Sequence, residues 1–354
     1  MRARGVGSPR PSLTSPSMRT RTLAPVALAL ATAVSACSGG DGSRAQPGST
    51  VGTTTRATSA PATTTSAAST ATVQPGPQRE EAPLPAAVQE VGATVASGRF
   101  YVVGGYGTQR NSVASVFVFD GASWSTGPAL PIAVNHPAAA TIGTDVYVAG
   151  GFSSGGATNR AFVLSSGATT WREIAPMQRP RGALALLAAG SRLYAIGGLA
   201  GSVQVAVPEM YDPASNTWSD LPAMPHPRNH LAGYLDGSLL CVAGGREPQT
   251  SAQVDCFDPA TSTWQTRTPL PDATSGAAAT ILGGVTMVAG GEPSSETSVL
   301  GSIQELRGAA WSTVPMLVPR HGTGSAVYHG RMWMCGGATA PGYHAVADCT
   351  SAAP

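Results

Sequence analysis

Three arginines recur at one position of a repeated pattern. Arg181, Arg228 and Arg320 each stand sixteen residues before a Gly-Gly pair. The next two positions of the same pattern carry further side chains that can bind ligands or move protons, namely Glu90, Asn135, His136, Asn229, His230 and His321. Guanidiniums that converge on one pocket favour carboxylate ligands, because each can donate two parallel hydrogen bonds. These nine residues are the candidate ligand-binding set.

A second interpretation of these residues needs no ligand, since Arg and His also satisfy loop carbonyls and neighbouring acids. No specific catalytic pattern supports the first interpretation. His226 and His230 are four residues apart, but Pro225 and Pro227 exclude the helix that would place both on one face. The sequence therefore predicts no catalytic residue, no metal site and no cofactor.

Six Gly-Gly pairs, spaced 46 or 47 residues apart, indicate which secondary-structure elements position these residues. The pairs are Gly104-Gly105, Gly150-Gly151, Gly197-Gly198, Gly244-Gly245, Gly290-Gly291 and Gly336-Gly337. Each pair ends an apolar run such as RFYVVGG or RLYAIGG, which is typical of a buried strand. A period of this length indicates one supersecondary unit copied along the chain.

Tryptophan keeps the same period, at Trp124, Trp171, Trp218, Trp264 and Trp311. Each unit then holds four strands and no helical periodicity. We therefore predict an all-β protein of radially repeated four-stranded sheets, with Trp packed between neighbouring sheets. A linear β-solenoid is the alternative, but it would need caps and a shorter period.

The order of these features resembles the kelch repeat. An apolar strand ends in Gly-Gly, an aromatic-Asp-Pro turn such as Tyr211-Asp212-Pro213 follows, and Trp comes next. The resemblance covers residues from about 78 to 350 and implies a six-bladed kelch-type β-propeller. In such propellers the candidate positions begin the innermost strands and surround the mouth of the central channel. The second unit departs from the pattern with FVLSS in place of the turn, and no Trp follows the sixth Gly-Gly pair.

The two ends of the predicted propeller complement each other. Only seventeen residues follow the last Gly-Gly pair, enough for one more strand near HAVADC. Residues 78–85 read QREEAPLP, which is similar to WQTRTPLP at 264–271. We predict that residues 78–84 pair with the C-terminal strand as the outermost strand of the sixth blade. This closure removes free sheet edges.

The domain organisation predicted before the propeller begins with a signal peptide over residues 1–36. Arg19 and Arg21 precede a short apolar stretch that is too short to span a bilayer. Residues 1–17 resemble neither a signal peptide nor a folded segment, so the true start of the protein could be Met18.

Cys37 ends the segment Val34-Ser35-Ala36-Cys37, which resembles the bacterial lipobox. The resemblance implies a lipid anchor on Cys37, and an ordinary signal peptide with an incidental Cys is the alternative. Residues 37–77 are rich in Ser, Thr, Ala and Pro without aromatic residues, so we expect a disordered tether. The propeller occupies residues 78–354. Together these features predict an extracytoplasmic, membrane-anchored bacterial lipoprotein.

Four further cysteines fall into two pairs, Cys241 with Cys256 and Cys335 with Cys349. In each pair one cysteine lies on the strand that ends at Gly-Gly, and the other lies on the next strand. Export favours oxidation, so we predict both disulfides, with free buried thiols as the alternative. Beyond the signal segment, 16 arginines stand against 19 acids, a net charge of about −3. No basic stripe is present, and we expect no nucleic-acid partner.

Two functions fit this sequence. The first is a monomeric, tethered binding module whose channel-mouth loops hold a protein, a peptide or a cell-envelope glycan. The second is a carbohydrate-active enzyme, because exported six-bladed kelch propellers include the sialic-acid mutarotases. That resemblance implies that Glu90 or a histidine at the channel mouth moves the anomeric proton of an acidic sugar. Fold alone does not decide between them, and a structural envelope component is a third reading.

Overall fold

The computed structural model describes residues 78–354, and these form six four-stranded antiparallel sheets. The chain begins with β1 (Gln78–Glu81) and β2 (Val88–Gln89). Blade 1 contains β3 (Gly92–Ala96), β4 (Arg99–Val103), the short β5 (Tyr106–Gly107), β6 (Val116–Phe119) and β7 (Trp124–Thr126). Blade 2 contains β8 (Ala138–Ile142), β9 (Asp145–Ala149), the hairpin β10 (Phe152–Ser153) and β11 (Gly156–Ala157), β12 (Ala161–Leu164) and β13 (Arg172–Ile174).

The other four blades repeat this plan. Blade 3 contains β14 (Ala185–Ala189), β15 (Arg192–Ile196), the hairpin β16 (Leu199–Ala200) and β17 (Val203–Gln204), β18 (Glu209–Asp212) and β19 (Thr217–Asp220). Blade 4 contains β20 (Ala232–Asp236), β21 (Leu239–Ala243), β22 (Val254–Asp258) and β23 (Thr263–Thr266). Blade 5 contains β24 (Ala278–Leu282), β25 (Val285–Ala289), β26 (Ser302–Arg307) and β27 (Ala310–Pro315). Blade 6 contains β28 (Gly324–Tyr328), β29 (Arg331–Cys335) and β30 (Cys349–Ala352). No helix occurs within residues 78–354, and so none there is long and apolar enough to cross a membrane.

The innermost strands of the six blades, β3, β8, β14, β20, β24 and β28, contact one another in order, and β28 contacts β3. The prediction of an all-β, six-bladed propeller is therefore confirmed. The second strand of each blade ends at a Gly-Gly pair, where the neighbouring blade approaches closely. At Gly150, whose φ is 69°, an added Cβ would lie 2.4 Å from the carbonyl oxygen of Arg181. Only glycine fits this approach and this backbone conformation.

Six buried apolar clusters fill the six spaces between neighbouring blades. The periodic tryptophans pack into these spaces, as predicted, and most of them also bond the preceding blade. The indole Nε1 of Trp171 donates to the Pro128 carbonyl at 2.8 Å, and that of Trp218 donates to the Ala175 carbonyl at 2.7 Å. Each such Trp therefore contributes both apolar area and a hydrogen bond across the wedge.

The ring closes through β1, which pairs with β30 as the outermost strand of blade 6. Gln78 lies opposite Ala352 and Glu81 lies opposite Cys349. The final strand begins only at Cys349, the last residue of the HAVADC segment, because residues up to Asp348 still belong to the loop. Both predicted disulfides form, with Cys241 directly opposite Cys256 and Cys335 directly opposite Cys349. The predicted signal segment, Cys37 and the tether lie outside the described residues.

Candidate functional site

Six residues, one from each blade, form a closed circle of backbone hydrogen bonds around the channel axis. This channel-mouth ring consists of Glu90, His136, Ala183, His230, Gly276 and Gly322. Each N–H donates to the carbonyl oxygen of the equivalent residue in the preceding blade, at 2.7 to 3.1 Å. The ring therefore fixes the start of every innermost strand.

All six ring residues have positive φ, between 51° and 67°. Glycine adopts this conformation freely, whereas other residues pay about 1–2 kcal/mol for it. The chain nevertheless keeps Glu90, His136 and His230 at ring positions, where Gly276 and Gly322 show that glycine is compatible with the fold. Side chains retained against a backbone preference mark a candidate functional site.

The channel below the ring is narrow, with a volume of about 140 Å³, and is lined mainly by glycine, alanine and leucine residues from all six innermost strands and the segments before them. Above the ring the channel widens into a cavity of about 660 Å³, which we call the channel-mouth cavity. Its lining includes the side chains of Glu90, His136, His230 and His321 and, beside them, Tyr106, Phe152, Leu199, Arg246, Glu292, Glu296 and Tyr343. This size is typical of a small-molecule site.

Glu90 lies between two imidazoles at the floor of the cavity. Its Oε2 is 3.1 Å from Nε2 of His136, and its Oε1 is 3.2 Å from Nδ1 of His321. The far nitrogen of His321 donates to the Ala340 carbonyl at 3.2 Å, because a carbonyl can only accept. Each contact between Glu90 and an imidazole therefore requires a proton shared between the two groups.

Asn135 and Asn229 orient the two ring histidines. The Nδ2 of Asn135 donates to the Phe152 carbonyl, so its Oδ1 accepts from Nδ1 of His136 at 2.6 Å. Asn229 holds His230 in the same way, with its own Nδ2 donating to the Arg246 carbonyl. In both histidines Nδ1 is committed as a donor, and Nε2 is left to face the cavity.

The ionisable groups of the cavity have shifted pKa values. Burial alone would raise the pKa of Glu90, but the charge and hydrogen bonds of His136 and His321 hold it well below its ordinary value. Burial lowers the pKa of His321, yet the hydrogen bond and charge of Glu90 outweigh burial and raise it. Burial, with His136 and Arg246 nearby, lowers the pKa of His230 well below its ordinary value. His230 is therefore neutral, and its Nε2 accepts a hydrogen bond from Arg246 Nη2 at 3.0 Å.

The prediction that Arg181, Arg228 and Arg320 face one shared pocket is wrong. All three are at most 1% exposed and lie inside their own blades. Arg181 bonds Glu209 at 2.6 Å and the Gly197 carbonyl at 3.2 Å.

The other two arginines have the same role. Arg228 bonds Asp255 at 2.6 Å and the Gly244 carbonyl. Arg320 bonds only carbonyls, those of Gly336 and Asp348 among them, and burial lowers its pKa to about 10. Each arginine thus satisfies a carbonyl of its own Gly-Gly pair, which the turn removes from the sheet ladder.

The cavity also uses a set of residues that the sequence analysis did not select. Each stands directly after a Gly-Gly pair and pairs with one position at the start of its blade, as Arg246 does with Asn229, Glu292 with Ser275 and Tyr106 with Gln89. Tyr106 and Phe152 occupy the same position. The sequence could have identified this position, because it recurs with the repeat period and often carries large or charged side chains.

Three ring residues could hold a metal ion. One ligand atom each from Glu90, His136 and His230 lies within 4.8 Å of the other two. The sequence pattern did not predict this site, because the three residues are far apart in the chain and no local spacing relates them.

Comparison with known proteins agrees with the fold. The Kelch motif model matches residues 134–178, 180–225 and 226–271. A solved structure titled "Structure of YjhT" is 17% identical, with a TM-score of 0.66, and the match covers 75% of this chain and 95% of that one. No curated protein matches the sequence. At this identity the structural likeness shows the fold alone. The described part of the chain is a six-bladed β-propeller with Kelch repeats.

Proposed function

We propose that this protein is a binding module whose channel-mouth cavity holds a hydroxyl-rich small molecule, such as the end of a cell-envelope glycan. The observation that carries this proposal is the cavity itself, where carboxylates, imidazoles and one guanidinium converge. Carboxylates accept hydrogen bonds from hydroxyls, guanidiniums donate to them, and imidazoles can do either. A volume of about 660 Å³ suits one or two sugar rings and is too small for a folded partner.

Two further features of the cavity support a hydroxyl-rich ligand. Gln89 is 3% exposed and its Oε1 has no hydrogen-bond partner, although its Nε2 donates to the Gly342 carbonyl. A buried acceptor without a partner is costly unless a ligand donates to it. Tyr106 and Tyr343 meet edge to face at 5.0 Å, and Tyr343 is 43% exposed. Aromatic rings in the wall of the cavity suit the apolar face of a sugar ring, and the Arg110 guanidinium lies over the Tyr343 ring, 5.3 Å from its centroid.

The cavity favours an acidic ligand less than the sequence predicted. The three buried arginines cannot reach a ligand, and Arg246 is already bonded to Glu296 and lies 3.9 Å from Glu292. No guanidinium of the cavity is therefore free to bind a carboxylate. We expect neutral sugars to bind at least as well as sugar acids.

Ligand-observed NMR on the purified protein tests this proposal, with glucose, N-acetylglucosamine, glucuronic acid and N-acetylneuraminic acid as probes. Saturation transfer to one of these sugars is expected, and Tyr343→Ala and Glu292→Gln should abolish it. Glu173→Gln is the matched control, because Glu173 lies outside the cavity in an exposed ion pair with Arg160. Transfer that is absent for every probe, or equal in Glu292→Gln and Glu173→Gln, would count against the cavity as a sugar site.

The contact of Glu90 with two imidazoles favours a second candidate, a carbohydrate mutarotase. Interconverting anomers requires a proton to leave the anomeric hydroxyl while another reaches the ring oxygen, and adjacent acid and base groups can do both. Exchange between the anomers of each probe sugar, followed by NMR, separates the candidates. An enzyme accelerates the exchange and loses this in Glu90→Gln, whereas a binding module leaves the exchange at its uncatalysed rate.

The setting of the site is part of the proposal. The two disulfides fit an exported location. We propose that Cys37 carries the lipid that tethers the propeller, as a monomer, at the membrane surface. Labelling of growing cells with an alkyne fatty acid should mark the protein, and Cys37→Ser should remove the label and release the protein from membranes. A label that persists in Cys37→Ser would refute the anchor.

A further inference from the structure

We propose that Glu90, His136 and His230 bind a divalent first-row transition metal ion, such as Zn²⁺, at the channel-mouth ring. One ligand atom from each residue lies within 4.8 Å of the other two, and Glu90 Oε2 is already 3.1 Å from His136 Nε2. The three side chains leave the same backbone circle, so they start from equivalent positions around one axis. This inference goes beyond the proposed sugar binding and does not depend on it.

The neighbouring ring residues make room for this arrangement. Ala183 is the ring residue between the two histidines, and its small side chain lets their ring centroids approach to 4.8 Å. On the other side of Glu90 the ring residue is Gly322. A Cβ at Gly322 would lie 2.4 Å from Oε1 of Glu90. The carboxylate therefore occupies space that only a glycine at this ring position leaves open.

The second layer around both histidines has the form of a metal site. Metal-bound histidines as a rule donate their other ring N–H to a fixed acceptor, which sets the tautomer. Asn135 accepts from Nδ1 of His136 at 2.6 Å, and Asn229 accepts from Nδ1 of His230. Each asparagine is itself fixed by two hydrogen bonds from its Nδ2. Nε2 is therefore the ligand atom of each histidine, and at His136 the proton that Nε2 shares with Glu90 leaves when the ion binds.

The ligand set selects the class of ion. Two imidazoles and one carboxylate suit Zn²⁺, Fe²⁺ and similar ions, whereas Ca²⁺ and Mg²⁺ prefer oxygen ligands alone. Zn–N bonds of about 2.0–2.1 Å place tetrahedral ligand atoms about 3.4 Å apart. The 3.1 Å between Glu90 and His136 is already close to this value, and a third ligand atom 4.8 Å away would move inward by about 1.4 Å. The remaining coordination positions would open into the channel-mouth cavity, where water or a ligand can enter.

Arg246 competes with the metal ion for one ligand. Its Nη2 donates to Nε2 of His230 at 3.0 Å, so a cationic group now lies where the ion would bind. Arg246 also bonds Glu296, which can retain the guanidinium after it leaves His230. We therefore expect Arg246→Met to bind the ion about tenfold more tightly than the wild type, a change of the size seen for residues around a metal site.

The test uses the full chain, freed of metal by dialysis against EDTA and then titrated with ZnSO4 against a chromophoric chelator. One ion per chain is expected, and Co²⁺ should give the visible absorption of a four- or five-coordinate ion with nitrogen ligands. His136→Ala and His230→Ala should each weaken Zn²⁺ binding by more than about 100-fold, beyond the loss caused by an altered second layer. His344→Ala, at an exposed histidine, should bind as the wild type does.

Two glycine variants separate loss of the site from loss of the fold. Gly322→Ala and Gly276→Ala place the same methyl group at two ring positions that both have positive φ. The new Cβ at Gly276 would come no nearer than 3.5 Å to any atom, whereas the one at Gly322 would displace the Glu90 carboxylate. Binding should therefore be lost in Gly322→Ala and kept in Gly276→Ala. Equal Zn²⁺ affinity in these two variants, or wild-type affinity in His136→Ala, would overturn the proposal. Either result leaves the sugar-binding proposal to be judged by its own NMR test.

Discussion

The substitution Arg228→Met tests whether the buried arginines hold the blades together. The Arg228 side chain is 1% exposed, and it donates to Asp255 at 2.6 Å and to the carbonyls of Val242 and Gln253 at 3.1 Å. Methionine fills a similar volume without any donor. Asp255 is fully buried, so the variant leaves its charge with only His226 and Thr266 as partners.

The expected loss of stability is large because a buried ion pair is broken on one side. Such a change costs about 3–5 kcal/mol. For a chain of this size that is equivalent to a fall of about 6–15 °C in the melting temperature. Thermal melts followed by far-UV circular dichroism, on oxidised protein at neutral pH, measure this fall.

Two further variants identify the cause of the loss. Arg320 has no carboxylate partner and bonds only carbonyls, so Arg320→Met should cost about 1–3 kcal/mol, the desolvation of unpaired polar groups. Arg228→Met combined with Asp255→Asn removes the unpaired charge and should recover part of the stability. If Arg228→Met had the melting temperature of the wild type, or lost less stability than Arg320→Met, the Arg228–Asp255 pair would not hold the blade together. If Arg228→Met kept its melting temperature but lost sugar binding, Arg228 would belong to the ligand-binding site after all.

Three other predictions concern the frame of the propeller. Without reductant, none of the four propeller cysteines should react with iodoacetamide. Reduction should lower the melting temperature, because Cys335–Cys349 joins β29 to β30. A disulfide that closes a loop of this length contributes about 3 kcal/mol to the stability of the fold. Ala183→Gly should stabilise the protein by up to about 1 kcal/mol in urea unfolding, because Ala183 has a φ of 55°; a destabilised variant would contradict the strain assigned to the ring. Trp218→Phe should cost about 1 kcal/mol more than Trp311→Phe, because Trp218 donates a buried hydrogen bond whereas the buried Nε1 of Trp311 has no partner; equal losses would show that this bond contributes little.

The repeat period was sufficient to predict the architecture of residues 78–354. Gly-Gly pairs and tryptophans at one period require one repeated sheet, and the likeness of residues 78–85 to residues 264–271 pointed to the blade shared by the two chain ends. The disulfides followed because each cysteine pair lies on adjacent strands, and the register then sets Cys241 opposite Cys256. These features depend on which strands are neighbours, and the periodic pattern carries that information.

The direction of the candidate side chains could not be predicted in the same way. Residues two apart in a strand normally point to the same side, which would place Arg228 and His230 in one pocket. A positive φ of 53° at His230 breaks this alternation, so Arg228 turns into its blade while His230 faces the cavity. The only sequence sign of that turn is indirect, since Gly276 and Gly322 stand at the same position of other units. Glycine at a repeated position was the evidence that the backbone there is left-handed.

The six units share a backbone frame, and the site arises where their side chains differ. Identical hydrogen bonds hold all six ring positions, so the fold tolerates an acid, two imidazoles, a methyl group and two glycines at equivalent places. The two glycines are not equivalent, because the Glu90 carboxylate fills the space where a Cβ at Gly322 would lie, whereas the nearest side-chain atom to a Cβ at Gly276 is Cβ of His321, at 3.8 Å. A symmetric ring of six histidines or six acids would crowd like charges on one axis. The mixture places one carboxylate beside two ring histidines, with His321 as a third imidazole next to the ring, and this asymmetry makes the channel mouth of this propeller chemically distinct from the rest of its surface.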